Sequence, residues 1–233
     1  MKQKKYSIAI LLCTFGLLLP LSGQSDTSQP MQTAAQFFQT VSARYAQLTD
    51  YEAQVMVSTS KAAMSGTVIY KSPSLMRMDF AEPAEQIIIY NGEELVVFVP
   101  AFNAIMRQQT SGSNAGAAAI ATGNGLRILG NSYTQTWAKS PAPEPLDENS
   151  EEMVVTMLLA RRTVAEGFRQ ITLSINPETL LIRRMRGEST SGETITLDFI
   201  SIVTNANIPD SRFIYDTPSS ANSYNNFLLN AGN

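Results

Sequence analysis

The chain has 233 residues, of which 44% are hydrophobic and 16% are charged, and its formal net charge is −3. This length is sufficient for one domain with a substantial core, and the negative charge argues against nucleic acid as a partner because phosphate binding needs a basic surface. The chain has no histidine and a single cysteine, Cys13, which excludes histidine-dependent nucleophile systems, nearly every zinc site and thiol redox chemistry, so no cofactor or metal is expected.

The first 23 residues are predicted to be a cleaved signal peptide. Three lysines stand among the first five residues, and the apolar run over 8–21 is about 14 residues long, shorter than the roughly 20 residues of a membrane-spanning helix. Ser22 and Gly23 provide small side chains for cleavage. Lipidation at Cys13 is not expected, because a leucine and not a small residue precedes it. A retained N-terminal anchor is the alternative; otherwise residues 24–233 form a single exported domain.

One amphipathic helix is predicted over residues 31–48. Apolar side chains recur there at helical spacing, and Pro30 stands where the first helical residue would be. The apolar stripe is expected to pack the helix against a sheet, and its residues are Phe37, Val41, Tyr45 and Leu48.

After the helix the apolar pattern changes to a period of two, which is typical of half-buried strands. Asn91-Gly92 is a strong hairpin signal between two of them. The predicted strands are 51–59, 66–71, 75–80, 86–90, 95–99, 153–160, 168–175, 180–186 and 194–203, with 212–215 as a candidate last strand.

This succession of eight to eleven antiparallel strands must curl or close, because a flat sheet would leave its edges and one apolar face unprotected. The predicted fold class is therefore mainly β with flanking helices, an unclosed antiparallel half-barrel wrapped around the N-terminal helix. A polar surface loop is expected over 141–152, and the chain after Pro218 is expected to be loose.

Residues 111–130 interrupt the strand pattern with small, apolar and glycine-rich sequence. A short helix over 115–121 and a further turn over 126–129 are expected. An apolar flap over the sheet and a plain flexible loop are both open interpretations, although Ile120, Leu126, Ile128 and Leu129 are unusual in a solvated loop.

The search for catalytic motifs finds no phosphate loop, dinucleotide turn or nucleophile elbow, and no enzymatic activity is expected. Asp79, Glu82 and Glu85 cluster, but they are interpreted as a solvated strand edge. After the predicted signal peptide, basic residues cluster only at 161–162 and 183–186, where they could contact lipid phosphates or a carboxylated partner. Exposed alternating charges of this kind more often serve solubility.

Ten methionines are present, and most fall on or beside predicted strands. Methionine adapts its shape and suits surfaces that receive irregular apolar guests. Both a methionine-filled core and an apolar cavity would explain the number and placement of these methionines. The combination of a helix, a sheet and a flap favours the cavity.

Several segments in order resemble the LolA family of periplasmic outer-membrane lipoprotein carrier proteins. They are Gly66-Thr-Val-Ile-Tyr-Lys-Ser-Pro73, Leu75-Met-Arg-Met-Asp-Phe80, Pro83, Ile87-Ile-Ile-Tyr-Asn-Gly92 and Leu95-Val-Val-Phe-Val-Pro100. The preceding helix and the late segment Phe213-Ile-Tyr-Asp-Thr-Pro218 also fit, so that the resemblance covers residues 31–218.

The resemblance implies an unclosed barrel with a helical lid over a hydrophobic cavity that carries lipoprotein acyl chains across the periplasm. Residues 111–130 would form the lid, with Ile120, Leu126, Ile128 and Leu129 as its apolar contacts. Well-studied members carry an arginine just before the strand-ending proline, where this chain has Ser72, so how the lid is held closed is an open question. The implied cavity residues are Met76, Met78, Phe80, Ile87, Ile89 and Val97.

The implied partners are acylated lipoproteins, an inner-membrane ABC-type releasing complex and an outer-membrane acceptor, and the protein is expected to act as a monomer. Because the family's acceptor is itself lipidated, the missing lipidation signal favours the carrier role. The alternatives are a protein of the same fold that binds free lipid or glycolipid, a sensor of mislocalised lipoproteins or unfolded outer-membrane proteins, and a structural domain with a filled core. A hydrolase that uses Asp79 comes last.

Overall fold

The computed structural model describes residues 32–109 and 122–225. The predicted signal peptide, the predicted short helix at 115–121 and Ile120 lie outside these residues.

The N-terminal helix, α1, spans Ala34–Ala46 and begins later than predicted. Thr33 and not Pro30 starts it, because Thr33 Oγ1 accepts a hydrogen bond from the amide of Gln36 at 3.2 Å, while Gln36 Oε1 accepts one from the amide of Thr33 at 2.9 Å. This reciprocal pair satisfies backbone donors that the first helical turn leaves free. The predicted apolar stripe is buried, with Val41 fully covered.

Thirteen strands follow in the described part of the chain, and antiparallel pairing dominates. They are β1 (Asp50–Thr59), β2 (Ala63–Lys71), β3 (Leu75–Glu82), β4 (Ile87–Tyr90), β5 (Glu94–Val99), β6 (Ala104–Gln109), β7 (Tyr133–Trp137), β8 (Glu144–Pro145), β9 (Met153–Arg161), β10 (Phe168–Ile175), β11 (Ile182–Ser189), β12 (Thr194–Thr204) and β13 (Asn222–Asn225).

The strands form one sheet in the order β13-β6-β5-β4-β3-β2-β1-β12-β11-β10-β9-β7, and the short β8 also pairs with β9. Two meanders, β1 to β6 and β9 to β12, are joined where β1 pairs antiparallel with β12. The edges β13 and β7 do not pair with each other, so the sheet is not closed. The predicted fold class is confirmed.

Several local predictions were wrong or incomplete. Strands β6, β7, β8 and β13 were not predicted, and β8 lies within the expected surface loop 141–152. Residues 212–215 do not form a strand, since a 3-10 turn spans Asp210–Phe213. The chain after Pro218 was expected to be loose, yet Asn222–Asn225 pairs in parallel with β6. The expected turn at 126–129 is part of a longer helix, α2, which spans Gly123–Ser132.

The sheet has an inner face and an outer face. The inner face packs against α1 and α2 and provides most of the core. The outer face of β2 and β3 is covered by the C-terminal segment 206–215, where Ile69, Ile208 and Phe213 form a second, smaller apolar cluster. The buried carboxylate of Asp50 holds this segment by accepting hydrogen bonds from the amides of Ala206 at 2.7 Å and Ile208 at 3.3 Å.

Candidate functional site

The inner face divides into two regions of different burial. On β9, β10 and β11 most of its side chains are buried, and Met157, Leu159, Leu173 and Ile182 each have 0% exposure. We call the inner face of β7 and of β9 to β11 the filled half. This region belongs to the core, and Trp137 and Phe168 at its margin are half-buried.

Helix α1 covers the filled half through aromatic contacts at both of its ends. The ring of Phe37 lies 5.5 Å from the ring of Trp137 on β7. At the other end, Tyr45 Oη accepts a hydrogen bond of 3.0 Å from the amide of Ile182, the first residue of β11. Burial raises the pKa of the Tyr45 phenol to about 12, although that hydrogen bond and the charges of Arg44 and Arg183 act to lower it.

Helix α2 covers α1 and forms the described part of the predicted lid. Leu126 and Leu129 are buried in the main core, whereas Ile128 is only half-buried. Thr122 caps the helix by accepting a hydrogen bond from the amide of Gly125 at 3.0 Å. A side chain at Gly123 would come within 3.1 Å of the Ala46 backbone, so the glycine permits close approach of the two helices. The described part of the segment is therefore a packed helix and not the loop that was one of the two interpretations.

On β2 to β6 the inner face is apolar but incompletely covered. Met78 lies directly opposite Ile88, and Ile88 lies opposite Val97, so the three form a row across β3, β4 and β5. All of them are half-buried, and Met78 and Ile88 pack against the edge of the core. We call this surface the open half. The buried Gln108, opposite Leu95, is a polar residue on it. Its half-buried apolar residues are Met64, Met78, Ile88, Leu95, Val97, Val99 and Met106.

The structure brings four of the six predicted cavity residues to the inner face. Met78 and Val97 lie in the open half, while Met76 and Phe80 lie beside them and are 4% and 5% exposed. These two belong to its floor, because neighbouring side chains already cover them.

Ile87 and Ile89 were placed on the wrong face. Ile87 lies opposite Asp79 and Ile89 opposite Arg77, on the outer face of the sheet. The residue that faces inward is Ile88, which was not predicted. The hairpin at Asn91-Gly92 could have predicted this face. A hairpin that pairs Tyr90 with Leu95 also pairs Ile88 with Val97, so Ile88 and Val97 share a face. A shift of one residue in this pairing would move every side chain of the strand to the other face.

On the outer face, the C-terminal segment covers the strands that line the open half. Arg77 Nη1 donates hydrogen bonds of 3.1 Å to the carbonyl oxygens of Arg212 and Ile214, and Arg77 pairs with Asp79 at 2.7 Å. The rings of Phe98 and Tyr215 lie 6.0 Å apart. Asp79 is therefore engaged by Arg77 on the face opposite the open half, and Glu82 and Glu85 are exposed.

Lys71 and Ser72, which occupy the region of the family's arginine, also contact other parts of the chain. Lys71 Nζ donates to the carbonyl oxygen of Ile208 at 2.8 Å and to Asp210, so it anchors the C-terminal segment. The amide of Ser72 donates to the carbonyl oxygen of Thr49 at 2.8 Å. These bonds fix the end of β2.

Within residues 32–109 and 122–225, no three acidic side chains are grouped as metal ligands would be. Over the same residues, neither helix has the length and apolar character needed to cross a membrane. What distinguishes the open half chemically is a half-exposed apolar surface made of flexible methionine and branched aliphatic side chains, which can receive an apolar ligand and offers no acid or base to react with it.

Comparison with known proteins gives one family and one fold. The model of the family described as outer membrane lipoprotein carrier protein LolA matches residues 36–216. No curated protein matches the chain significantly.

Three solved structures resemble the chain. An uncharacterized conserved protein from Thermus thermophilus is 13% identical with a TM-score of 0.52, over 80% of this chain and 98% of that one. A LolA superfamily protein from Nitrosomonas europaea is 14% identical with a TM-score of 0.41, over 79% and 98%. Lipoprotein LppX from Mycobacterium tuberculosis is 12% identical with a TM-score of 0.48, over 76% and 97%. Of these three, the Thermus protein alone exceeds a TM-score of 0.5, and at this identity it supports the fold alone.

Proposed function

This chain belongs to the LolA family of outer-membrane lipoprotein carrier proteins, and we propose that it is a periplasmic chaperone that holds the acyl chains of lipoproteins against the open half of its inner face. The observation that carries the proposal is the row of half-buried apolar side chains formed by Met78, Ile88 and Val97. We further propose that the protein acts as a binding protein without enzymatic activity.

The open half suits an acyl chain because its walls are apolar and adaptable. Met64, Met78 and Met106 contribute three unbranched side chains to it, and unbranched thioethers can rearrange around ligands of irregular shape. The fully covered Met76 and Phe80 form a firm floor beneath them. An acyl chain would replace water on the remaining exposed surface.

The energetics favour a carrier that depends on partners. Each methylene group removed from water contributes about 0.8 kcal/mol, so a chain of about 16 carbons gains on the order of 12 kcal/mol. Relative to a bilayer this gain nearly disappears, because lipid is equally apolar. Loading therefore needs a coupled energy source, and we propose an inner-membrane ABC-type complex for it and an outer-membrane acceptor for unloading.

The signal peptide predicted for residues 1–23 supports export to the periplasm as part of the same proposal. α2, with Leu126, Ile128 and Leu129, would border the lid side of the cavity. Its firm packing on α1 means that any opening would have to move α1 and α2 together or involve other segments of the chain.

The test is native mass spectrometry of the mature protein after co-expression with one triacylated lipoprotein in a bacterial periplasm. We expect a one-to-one complex that disappears when the acylated cysteine of the lipoprotein is replaced. Met78→Glu should reduce this complex at least about tenfold, because it places a charge in the open half. Met56→Glu is the matched control, since Met56 is a methionine on the outer face with 46% exposure.

A complex that survives Met78→Glu, or that is lost equally with Met56→Glu, would contradict the assignment of the open half. Free lipid in place of lipoprotein would replace the carrier role with that of a lipid or glycolipid shuttle. If the protein is detected only at the mass of the unliganded chain and also fails to take up an apolar fluorescent dye, a structural domain with a filled core is favoured.

A further inference from the structure

The outer face carries an open groove, lined by polar and charged residues, that the proposed carrier function does not use. It has a volume of about 490 Å³, within the range of small-ligand sites. It lies over β1, β12 and β11, where Ser58 is directly opposite Thr196, and Thr196 is directly opposite Arg186. We call it the outer pocket, and it is lined by Ser58, Thr59, Ser60, Arg184, Arg186, Thr194, Thr196 and Asp198.

One wall of the outer pocket is held rigidly by Arg184. Its guanidinium donates to Asp147 at 2.8 and 3.2 Å and also pairs with Asp198 on β12. The hydrogen bonds that Arg184 donates to Asp147 are the main cause that raises the pKa of Arg184, and Asp198 adds to it. Because Asp198 is engaged by Arg184, its side chain is fixed in place, although the single positive charge of Arg184 is shared between Asp198 and Asp147.

Arg186, two residues further along β11, is different. Among residues 32–109 and 122–225 it has neither an ion pair nor a side-chain hydrogen bond, and it is exposed at the pocket. Around it stand four hydroxyl side chains that can donate and accept hydrogen bonds, those of Ser58, Ser60, Thr194 and Thr196. The hydroxyl of Thr59 is engaged within its own turn, where it donates to the carbonyl oxygen of Ala62 at 3.2 Å and accepts from the amide of Ala62 at 3.0 Å. A guanidinium with several hydroxyl donors suits a tetrahedral oxyanion, and the remaining hydroxyls can bind neutral hydroxyl groups of the same ligand.

We propose that the outer pocket binds a phosphomonoester attached to a hydroxyl-bearing group, with Arg186 as the residue that contacts the phosphate. The pocket lies on the face of the sheet opposite the open half, so this ligand would bind independently of an acyl chain. Two sources share this chemistry, namely a soluble sugar phosphate and the head group of a membrane lipid.

The proposal is tested by calorimetric titration of the mature protein with glucose 6-phosphate, inorganic phosphate and glucose. We expect saturable binding with the affinity order glucose 6-phosphate, inorganic phosphate, glucose, and weaker binding at higher salt because the contact is ionic. Arg186→Gln should weaken glucose 6-phosphate binding at least about tenfold, as expected for loss of a charged hydrogen-bond donor. Arg169→Gln is the control: it removes the same charge from the neighbouring strand β10, where Arg169 pairs with Glu188 outside the pocket lining.

Vesicle flotation separates the two sources. Binding to phosphatidylcholine vesicles that contain phosphatidic acid, lost in Arg186→Gln, would identify a lipid head group, whereas glucose 6-phosphate binding without flotation would identify a soluble ligand. Met78→Glu should leave both results unchanged, which keeps this test separate from that of the carrier function. The proposal is overturned if no phosphate compound binds at about 10 mM, or if Arg186→Gln and Arg169→Gln weaken binding equally.

Discussion

The filled half and the open half are parts of the same inner face and are built from the same kinds of side chains, yet they differ in burial. Met157 in the filled half is fully covered, and Met78 in the open half is half-buried. Composition does not explain the difference. The position of the helices does: α1 and α2 pack on each other and on β7, at one edge of the sheet.

A long curled sheet presents more apolar inner face than one short helix pair can cover. α1 has 13 residues, and its contacts reach from Trp137 on β7 to Tyr51 on β1. The strands beyond β2 therefore retain apolar surface that a ligand can use. We therefore expect the stability of the fold to come mainly from the filled half and its capacity for a ligand to come from the open half.

The strongest test of this division compares one methionine from each half. Met157→Ala should lower the free energy of unfolding by about 3 kcal/mol, because it leaves a cavity in a fully covered site. Met78→Ala should cost about 1 kcal/mol, since part of its side chain is already in water. Urea denaturation of the two variants measures both values, and equal losses would contradict the division.

An alkaline pH acts on α1, the helix that covers the filled half. The pKa of Tyr45 is raised from 10.0 to about 12 in the folded protein, so folding favours its protonated form. The resulting stabilisation is complete below about pH 10 and is lost as the pH rises through 12, a loss on the order of 2–3 kcal/mol.

Urea denaturation at about pH 9 and pH 11.5 measures this loss. Tyr45→Phe should make the pH dependence shallower without abolishing it, because burial also raises the pKa of Tyr51. An unchanged slope in Tyr45→Phe would show that Tyr45 is not its source.

Gly66→Ala perturbs the framework of the open half. A Cβ atom at Gly66 would lie 2.2 Å from the carbonyl oxygen of Asp79, at the register shift between β2 and β3, so one strand must move. We expect a loss of about 2 kcal/mol, as for an overpacked site, and weaker binding of an apolar dye. Gly167→Ala is the control, since a Cβ atom there meets nothing within 4 Å.

The smallest expected effect is at the start of α1. Thr33→Ala removes one side of the reciprocal cap with Gln36 and should cost about 1 kcal/mol. Because the cap only anchors the helix over the filled half, dye binding by the open half should not change. If the variant is completely folded and still binds the dye more weakly, α1 also shapes the open half.

The sequence predicted the fold class and the face of β3 well, because Met76, Met78 and Phe80 alternate with the charged Arg77 and Asp79. It could not predict the face of β4 from its own residues. Ile87-Ile88-Ile89 is apolar throughout and contains no alternation, so only its pairing in the hairpin decides which residue points inward.

Helix α2 shows a different reason for failure. Its ten residues include Gly123, Gly125 and Gly130, and glycine disfavours an isolated helix. Packing reverses that preference, since Gly123 lies against Ala46 and Gly130 against Phe38, where larger residues would prevent close approach.

Strand β7, in contrast, could have been predicted from the sequence. Tyr133-Thr-Gln-Thr-Trp137 has aromatic and β-branched residues in strand-like alternation.

The outer pocket could not be located from the sequence. The basic cluster at 183–186 was visible, but its separation into an engaged Arg184 and an exposed Arg186 depends on Asp147 and Asp198, which are distant in the chain. Such a distinction arises only when the strands and the loop before β9 are brought together.

The most direct test of the central claim uses photo-crosslinking amino acids at two adjacent positions of β5, in cells that also express a triacylated lipoprotein. Val97 lies on the inner face opposite Ile88, whereas Val96 lies on the outer face opposite Ile89. We expect crosslinks to the lipoprotein from position 97 and none from position 96. Crosslinks from position 96 alone, or equal yields from both positions, would contradict the assignment of the open half as the acyl-binding surface.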